Sequence, residues 1–471
     1  MCNNTPILEL EKQISVCYDA TMKRLAQEHL KQWFNKKNRM PMIIRGARQV
    51  GKSTLVQLFC DSEKIQLIEI NLEKSKLRSL NDDEFNLTNV LDEIQMKAKK
   101  KITQNTILFL DEIQDAPKLL KALRYFYEER PDIAVIAAGS LLEFVLKGED
   151  FSFPVGRVEF YNLGPMNFLE FLWATGNELL ADKLESLDFS EPVCNLAKAE
   201  LQKYYYVGGM PMAVKTYILE KSLIAVREVQ NQLLETYVAD FPKYNARIQS
   251  EKIQRIFYSC ILFLGKKIIY QKLEPDLKSR EIKKILELLI DARIVTPCIH
   301  TNANTVPLMG ESDTSIFKIY FLDIGLLNAL MRLDFETIDD EFKNSYNSKG
   351  LLTEQFIAQH LCYLDGPGLT PQLHYWLRDK GSQKGEVDFI VAFKNLVVPV
   401  EVKTREAGHL KSLFYFCNDK NKKVAINFSL DDFSIKETGH KIDNKMVTLK
   451  LLRIPHFAVM QVKKIFEQNT K

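Results

Sequence analysis

Short, unbroken apolar runs recur along the first third of the chain: PMIIR at 41–45, QLIEINL at 66–72, TILFLDE at 106–112 and IAVIAAGS at 133–140. Each is bounded by polar or turn residues. Such runs predict strands buried on both faces of a parallel sheet. Helical patterns separate them, so residues 36–165 are expected to form an α/β core. An amphipathic helix over 20–36 closes an N-terminal helical segment, 1–35. From 166 to 247 the pattern turns helical and predicts a helical lid.

The pattern changes again over 248–335. Two or three short helices (KIQRIFYSCILFLG, REIKKILELLIDA) lead into RIVTPCIH, which reads as a strand. Polar TNANTVPLMGESDTS follows as a hairpin tip or wing, and FKIYFLD returns as a strand. Helices followed by a β-hairpin predict a winged helix. The polar stretch DDEFKNSYNSK at 339–349 suits a linker into a last domain, 345–471, with a helix, a hairpin and mixed structure.

Bulk properties add limits. A domain takes roughly 100–200 residues, so 471 residues imply about two to four. A net charge of +3 sets up no global field, so any basic surface must be local. The eight cysteines are scattered singly without CxxC or CxxH pairs, which argues against zinc or a disulfide framework and fits a reducing cytosol. No stretch approaches the ~20 apolar residues that span a bilayer. A cytoplasmic protein without a membrane partner is expected.

Gly46-Ala47-Arg48-Gln49-Val50-Gly51-Lys52-Ser53, with Thr54 after it, fits GxxxxGK[ST] between a strand and a helix. Glycines let the backbone wrap closely and aim N–H groups at phosphate oxygens. The helix N-terminus adds partial positive charge. Lys52 would reach the β and γ phosphates of a nucleoside triphosphate, and Ser53 would hold Mg2+. Asp111 and Glu112 end a buried strand, where charge needs a partner. Asp111 fits the carboxylate on the Mg2+ side, and Glu112 is placed to orient or deprotonate the attacking water. Ser140, ending the next strand, is a candidate γ-phosphate sensor; its other reading is a helix N-cap. Arg157 is a candidate phosphate contact in its own or a neighbouring subunit, which would make the protein a homo-oligomer. Arg48 and Arg124 are weaker candidates.

A second carboxylate set lies near the C-terminus. If Lys394-Asn395 is a two-residue turn, Phe393 pairs with Leu396 and Asp388 falls opposite Glu401. Like charges facing each other across a hairpin are destabilising. Lys403 shares their face, while Val398, Val400 and Val402 point to the other. In GLLTEQFIAQHL, Glu354 sits in an apolar stripe with Leu351, Ile357, Ala358 and Leu361, where an acid needs a reason.

GARQVGKST, LFLDEIQ, AAGSLLEF, PVGRVEFYNLGPMNFLEFL and YYYVGGMPMAV together resemble the AAA-type ATPases of bacteria and archaea with a DUF4143 region. FKIYFLDIGLLNAL and GEVDFIVAF with VPVEVK resemble that family's C-terminal part. The resemblance covers about 40–460. It implies an α/β fold class: an ASCE-type P-loop parallel-sheet ATPase with a helical lid, then a winged helix and a PD-(D/E)xK nuclease-like α/β domain. It implies ATP as nucleotide. It also implies that Asp388 and Glu401 bind Mg2+, with Glu354 assisting. Lys403 would then activate water or stabilise charge on phosphorus.

DNA or RNA is the partner class this organisation suggests. The second helix of the winged helix, within Ser279–Ala292, would carry Lys278, Arg280, Lys283 and Lys284 near its start, with Lys266 and Lys267 nearby. Arg378, Lys380, Lys384, Lys420, Lys422 and Lys423 flank the nuclease-like hairpin. The leading expectation is an ATPase whose nucleotide state drives a nucleic-acid-binding or nucleic-acid-cutting module. The rival is an ATP-driven switch whose nuclease-like domain is silent and binds a protein partner.

Overall fold

The computed structural model describes residues 22–81, 85–146, 156–244, 248–337, 350–378, 384–403, 410–442 and 445–470. The linker read at 339–349 and Lys380 lie outside them. The chain forms two compact units: one runs through Met166 and includes 291–293 and 366–370, and the other takes the rest.

In the first unit the apolar runs become parallel strands: β1 (Met42–Arg45), β2 (Gln66–Asn71), β3 (Thr106–Asp111) and β4 (Ala134–Gly139). A fifth, β5 (Glu159–Asn162), completes the order β2-β3-β4-β1-β5. β3 and β4 are buried along their whole length, as unbroken apolar composition requires. The helix Pro117–Glu129 packs Leu119, Leu120, Leu123 and Phe126 into the cluster that holds Ile43, Leu108, Leu110 and Val135. Asn86 caps the helix Leu87–Ala98 by accepting from Asn89 N. The strand order puts β4 between β1 and β3. The tip of β4 is thus flanked by the loop after β1 and the acids after β3.

The second unit begins with the helices expected over 166–247, from Phe168–Ala174 to Leu223–Tyr244. They pack with the chain that follows: Tyr204 meets Phe168, Phe171 and Phe356 edge-to-face. Next come Ser250–Leu262, Tyr270–Leu273 and Ser279–Asp291, then the hairpin β6 (Val295–Thr301) and β7 (Ser312–Phe321). That hairpin is not self-contained. β6 also pairs in parallel with β8 (Leu373–Arg378), which pairs with β9 (Gly385–Val387), giving the order β7-β6-β8-β9. The other sheet holds β10 (Phe389–Phe393), β11 (Leu396–Val402), β12 (Val424–Ser429), β13 (Ser434–Ile442) and β14 (Lys445–Pro455) in the order β10-β11-β12-β14-β13.

A buried polar hub fixes the helix Gly350–Leu361. Gln355 donates to Phe321 O and accepts from Phe321 N. Gln359 accepts from Ile324 N and donates to Asp323. Asp323, fully buried, also accepts from Gly209 N at 2.7 Å and Leu326 N at 3.1 Å. A Cβ on Gly208 would strike Asp323, so the YVGG turn needs its glycine. His360 donates from Nδ1 to Phe356 O at 2.7 Å and accepts at Nε2 from Phe168 N at 3.0 Å.

Burial pushes His360 down from 6.5 to about 4. A histidine held neutral stabilises the fold fully above its unfolded pKa, and the stabilisation fades as pH falls from 6.5 towards 4. The loss should reach about 3 kcal/mol, at ~1.4 kcal/mol per pKa unit. Urea titrations followed by the fluorescence of Trp173 and Trp376, both buried in this unit, in a Trp33→Phe background that silences the first unit's tryptophan, should give midpoints that drop below pH 6.5. His374 and His456, in the same unit and pushed down by burial to about 4 as well, share the drop, so His360→Gln should shrink it rather than abolish it. An unchanged pH profile in the variant would show that His360 does not carry it.

Candidate functional site

The loop after β1 has the conformation its spelling demands. Gly46 has φ 157°, and a Cβ there would lie 2.3 Å from Leu163 O. Gly51 sits in the left-handed region at φ 90° and starts the helix Lys52–Glu63, and Gln49 is left-handed too at φ 64°. Ala47 and Val50 are buried, anchoring the loop from beneath, while Thr54 is exposed on the first turn. Arg24, buried, donates to Val50 O at 3.1 Å and Gly164 O at 2.8 Å, bracing the loop from the preceding segment.

Lys52 folds back into the loop and donates to Gly46 O at 3.1 Å and Ala47 O at 2.9 Å. Burial pushes its ammonium down to about 8; Glu112 and Asp111 pull it upward and Arg48 opposes them. A buried cation on neutral carbonyls is poised for an anion. Ser53 Oγ donates to Asp111 Oδ2 at 3.0 Å. Burial raises the Asp111 carboxyl, and the Ser53 hydroxyl counters part of that. The hydroxyl and the carboxylate are an oxygen pair suited to Mg2+, which is held by few protein oxygens plus phosphate.

Glu112, left-handed at φ 52°, turns away from β3. Its Oε2 accepts from Gln114 Nε2 at 2.7 Å, and Ser140 Oγ lies 3.5 Å from the same oxygen. The tip of β4 therefore meets Glu112. Arg157 pairs with Glu128 at 2.9 Å on the surface, and Arg124 donates to Tyr125.

The second constellation lies entirely in the second unit. Lys394 and Asn395 both have positive φ, as a two-residue mirror-image turn requires. Phe393 pairs with Leu396 and Phe389 with Val400, the register expected, so Asp388 comes opposite Glu401. Asp388 Oδ2 accepts from Val402 N at 2.8 Å, and Lys403 Nζ lies 2.6 Å from Glu401 Oε1. Glu401 is 4% exposed, and its Oε2 is buried without a partner. Burial and the nearby Asp388 push Glu401 upward against the pull of Lys403. Glu354 is pushed up by the same two causes, against Lys318 and Tyr320.

Three further members of this cluster, Tyr320, Lys318 and Glu386, are singled out by no spacing in the sequence. Tyr320 on β7 donates its phenol to Glu354. Lys318, two residues earlier on the same face and 1% exposed, pairs with Glu386 and lies 3.6 Å from Glu354. Burial pulls its ammonium down, and Glu354, Glu386 and Asp388 more than reverse this. A lysine inside the apolar strand FKIYF was the available signal. Among the described residues, no three histidine, cysteine or acidic side chains group closely enough to hold a metal ion. A cation here would rest on Asp388, Glu401 and main-chain or water oxygens.

Residues 38–172 match the family described as AAA domain. Residues 198–337 and 349–449 match two domains of unknown function, DUF8612 and DUF4143. No curated protein matches the chain. Among solved structures, the chain is similar to the Walker-type ATPase of Pyrococcus abyssi at 16% identity, over 66% of this chain and 96% of that one, with a TM-score of 0.42. It is also similar to the Aeropyrum pernix Orc1 protein in complex with DNA (12% identity, 67% and 92% covered, TM-score 0.27). A third is the RuvB Holliday junction branch migration motor of Thermotoga maritima (15% identity, 61% and 88% covered, TM-score 0.27). The chain carries an AAA-type P-loop ATPase domain and a DUF4143 region. No helix among the described residues is long and apolar enough to cross a membrane.

Proposed function

We propose that the first unit hydrolyses MgATP and that its nucleotide state drives the second unit on nucleic acid. The observation that carries the ATPase half is the convergence of Lys52, the Ser53–Asp111 pair and Glu112 around one loop. Lys52 and the loop N–H groups would bind the phosphates. Ser53 and Asp111 would hold Mg2+, which supplies charge neutralisation on the phosphate oxygens. Glu112 would orient the attacking water and take its proton. Ser140, beside Glu112, would sense the γ-phosphate.

The nucleic-acid half rests on the second unit. Ser250–Leu262, Tyr270–Leu273 and Ser279–Asp291, followed by a hairpin, suit a winged helix, and Lys278, Arg280, Lys283 and Lys284 are exposed at the start of Ser279–Asp291. Lys266 and Lys267 are exposed in the same region. Such residues would neutralise phosphates, with an affinity that falls as salt rises. Glu401 Oε2, buried and unpartnered beside Asp388, favours a nuclease-like metal site. The second reading, a silent domain within an ATP-driven switch, has its own support. Lys403 on Glu401, and Lys318 on Glu386 and Glu354, already neutralise carboxylates from within.

Incubation with Mg2+ or Mn2+ and plasmid, tRNA or single strands separates the two readings. Metal-dependent cleavage that is lost in both Asp388→Ala and Lys403→Ala supports the nuclease. Binding without cleavage supports the silent domain. A protein that binds MgATP but shifts neither DNA nor RNA at low salt ends the nucleic-acid half.

A further inference from the structure

The carboxamide of Gln114 has one satisfied end and one orphaned end. The short 3-10 turn Ile113–Asp115, entered through left-handed Glu112, swings Gln114 back beside the acid. A carboxylate oxygen needs a donor, so the Nε2 end faces Glu112 Oε2, at 2.7 Å. Oε1 therefore faces the other way, where it is buried and has no hydrogen-bond partner. Leaving an amide carbonyl buried and unpaired costs about 1–3 kcal/mol. Folds retain such groups rarely, and one held beside an active-site acid calls for a functional explanation.

The neighbouring strand is shaped around this carbonyl. A Cβ on Gly139 would lie 2.3 Å from Gln114 Oε1. Gly139 has no positive φ that would call for glycine on conformational grounds. The room its missing side chain leaves is occupied by the amide. Gly139 directly precedes Ser140, whose hydroxyl lies 3.5 Å from the oxygen that Gln114 holds. The tips of β3 and β4 thus converge on a single carboxylate and a single free carbonyl.

We propose that Gln114 is a positioning residue for the attacking water, resting on the ATP-hydrolysis reading above. Its NH2 group fixes the rotamer of Glu112, so that the acid presents its other oxygen to the water, and its carbonyl, seated against Gly139, holds the amide in that orientation. In the step itself the water oxygen forms a bond to the γ-phosphorus. The bond from that phosphorus to the β–γ bridging oxygen breaks, its electron pair leaves with ADP, and the water proton goes to Glu112. Gln114 is unchanged and makes no contact with the nucleotide.

Gln114→Leu keeps the volume and removes both polar ends. It should lower kcat about tenfold to a hundredfold, the cost typical of a misplaced reactant. KM and the equilibrium affinity for MgATP should stay within about twofold, as should those of any variant acting on the water alone. Gly139→Ala, which displaces the amide without touching Glu112, should reproduce that split. The Gln114→Leu/Gly139→Ala pair should be no slower than the slower single variant, because residues acting as a unit are not additive. Gln114→Asn, shorter but still an amide, should recover part of the rate. A kcat within about twofold of the parent in Gln114→Leu overturns the proposal. So does a loss of kcat matched by a loss of nucleotide affinity, which would mark a structural role. If the parent itself hydrolyses no ATP, the ATPase reading fails and this proposal fails with it. If the parent hydrolyses and Gln114→Leu keeps pace, only this proposal falls.

Discussion

Glu112→Gln is expected to bind MgATP as the parent does and to hydrolyse it at least about a hundredfold more slowly, the lower range for loss of a general base. The amide keeps the size of the acid and still offers an oxygen to Gln114 Nε2. It cannot take a proton. Phosphate binding, in contrast, depends on Lys52 and the loop N–H groups, which the substitution leaves alone. Equilibrium binding of a fluorescent ATP analogue should therefore be unchanged, while phosphate release nearly stops. A rate within about threefold of the parent would remove Glu112 from the chemistry and shift attention to a base outside the β3 tip.

The second large effect concerns stability. Asp323→Ala should cost the second unit about 3 kcal/mol or more, because several buried donors lose their acceptor together. Gly209 N, Leu326 N and Gln359 Nε2 all donate to this carboxylate. Burial raises its pKa even so, since the backbone and side-chain donors offset only part of the desolvation. Asp323→Asn should cost less but not nothing, because both carboxylate oxygens accept, and an amide must turn an N–H towards a donor. Urea unfolding followed at Trp173 and Trp376, with parent and variant both carrying Trp33→Phe to silence the first unit's tryptophan, reads this unit, and Lys52-dependent nucleotide binding in the first unit should be unaffected. Equal midpoints in parent and Asp323→Ala would mean that water replaces the carboxylate without loss.

What the sequence made legible was what local pattern encodes. The four strands of the first unit could be read because each is unbroken and apolar. The phosphate loop could be read because its glycines and Lys52 have a fixed spacing. The Asp388–Glu401 pairing could be read because a two-residue turn fixes hairpin register by counting. Contributions from distant segments were not legible. β6 pairs in parallel with β8 across more than seventy residues of sequence, so the hairpin looked like a domain of its own. Lys318 and Tyr320 acquire their role only when β7 lies against the helix that carries Glu354. Arg24 reaches Gly164 O across 140 residues. The packing of the 166–247 helices with the C-terminal part depends on aromatic contacts such as Tyr204 with Phe356, which periodicity does not specify. Gln114 stood in plain view two residues beyond Glu112, but its meaning depends on Gly139 in another strand.

The central claim, that the loop around Lys52 turns over ATP, is tested most directly by phosphate release from ATP by the purified protein with and without Mg2+, beside Lys52→Ala. The parent should release phosphate only with Mg2+, and Lys52→Ala none above background. Release that persists undiminished in Lys52→Ala, or a parent that releases no phosphate, would contradict it.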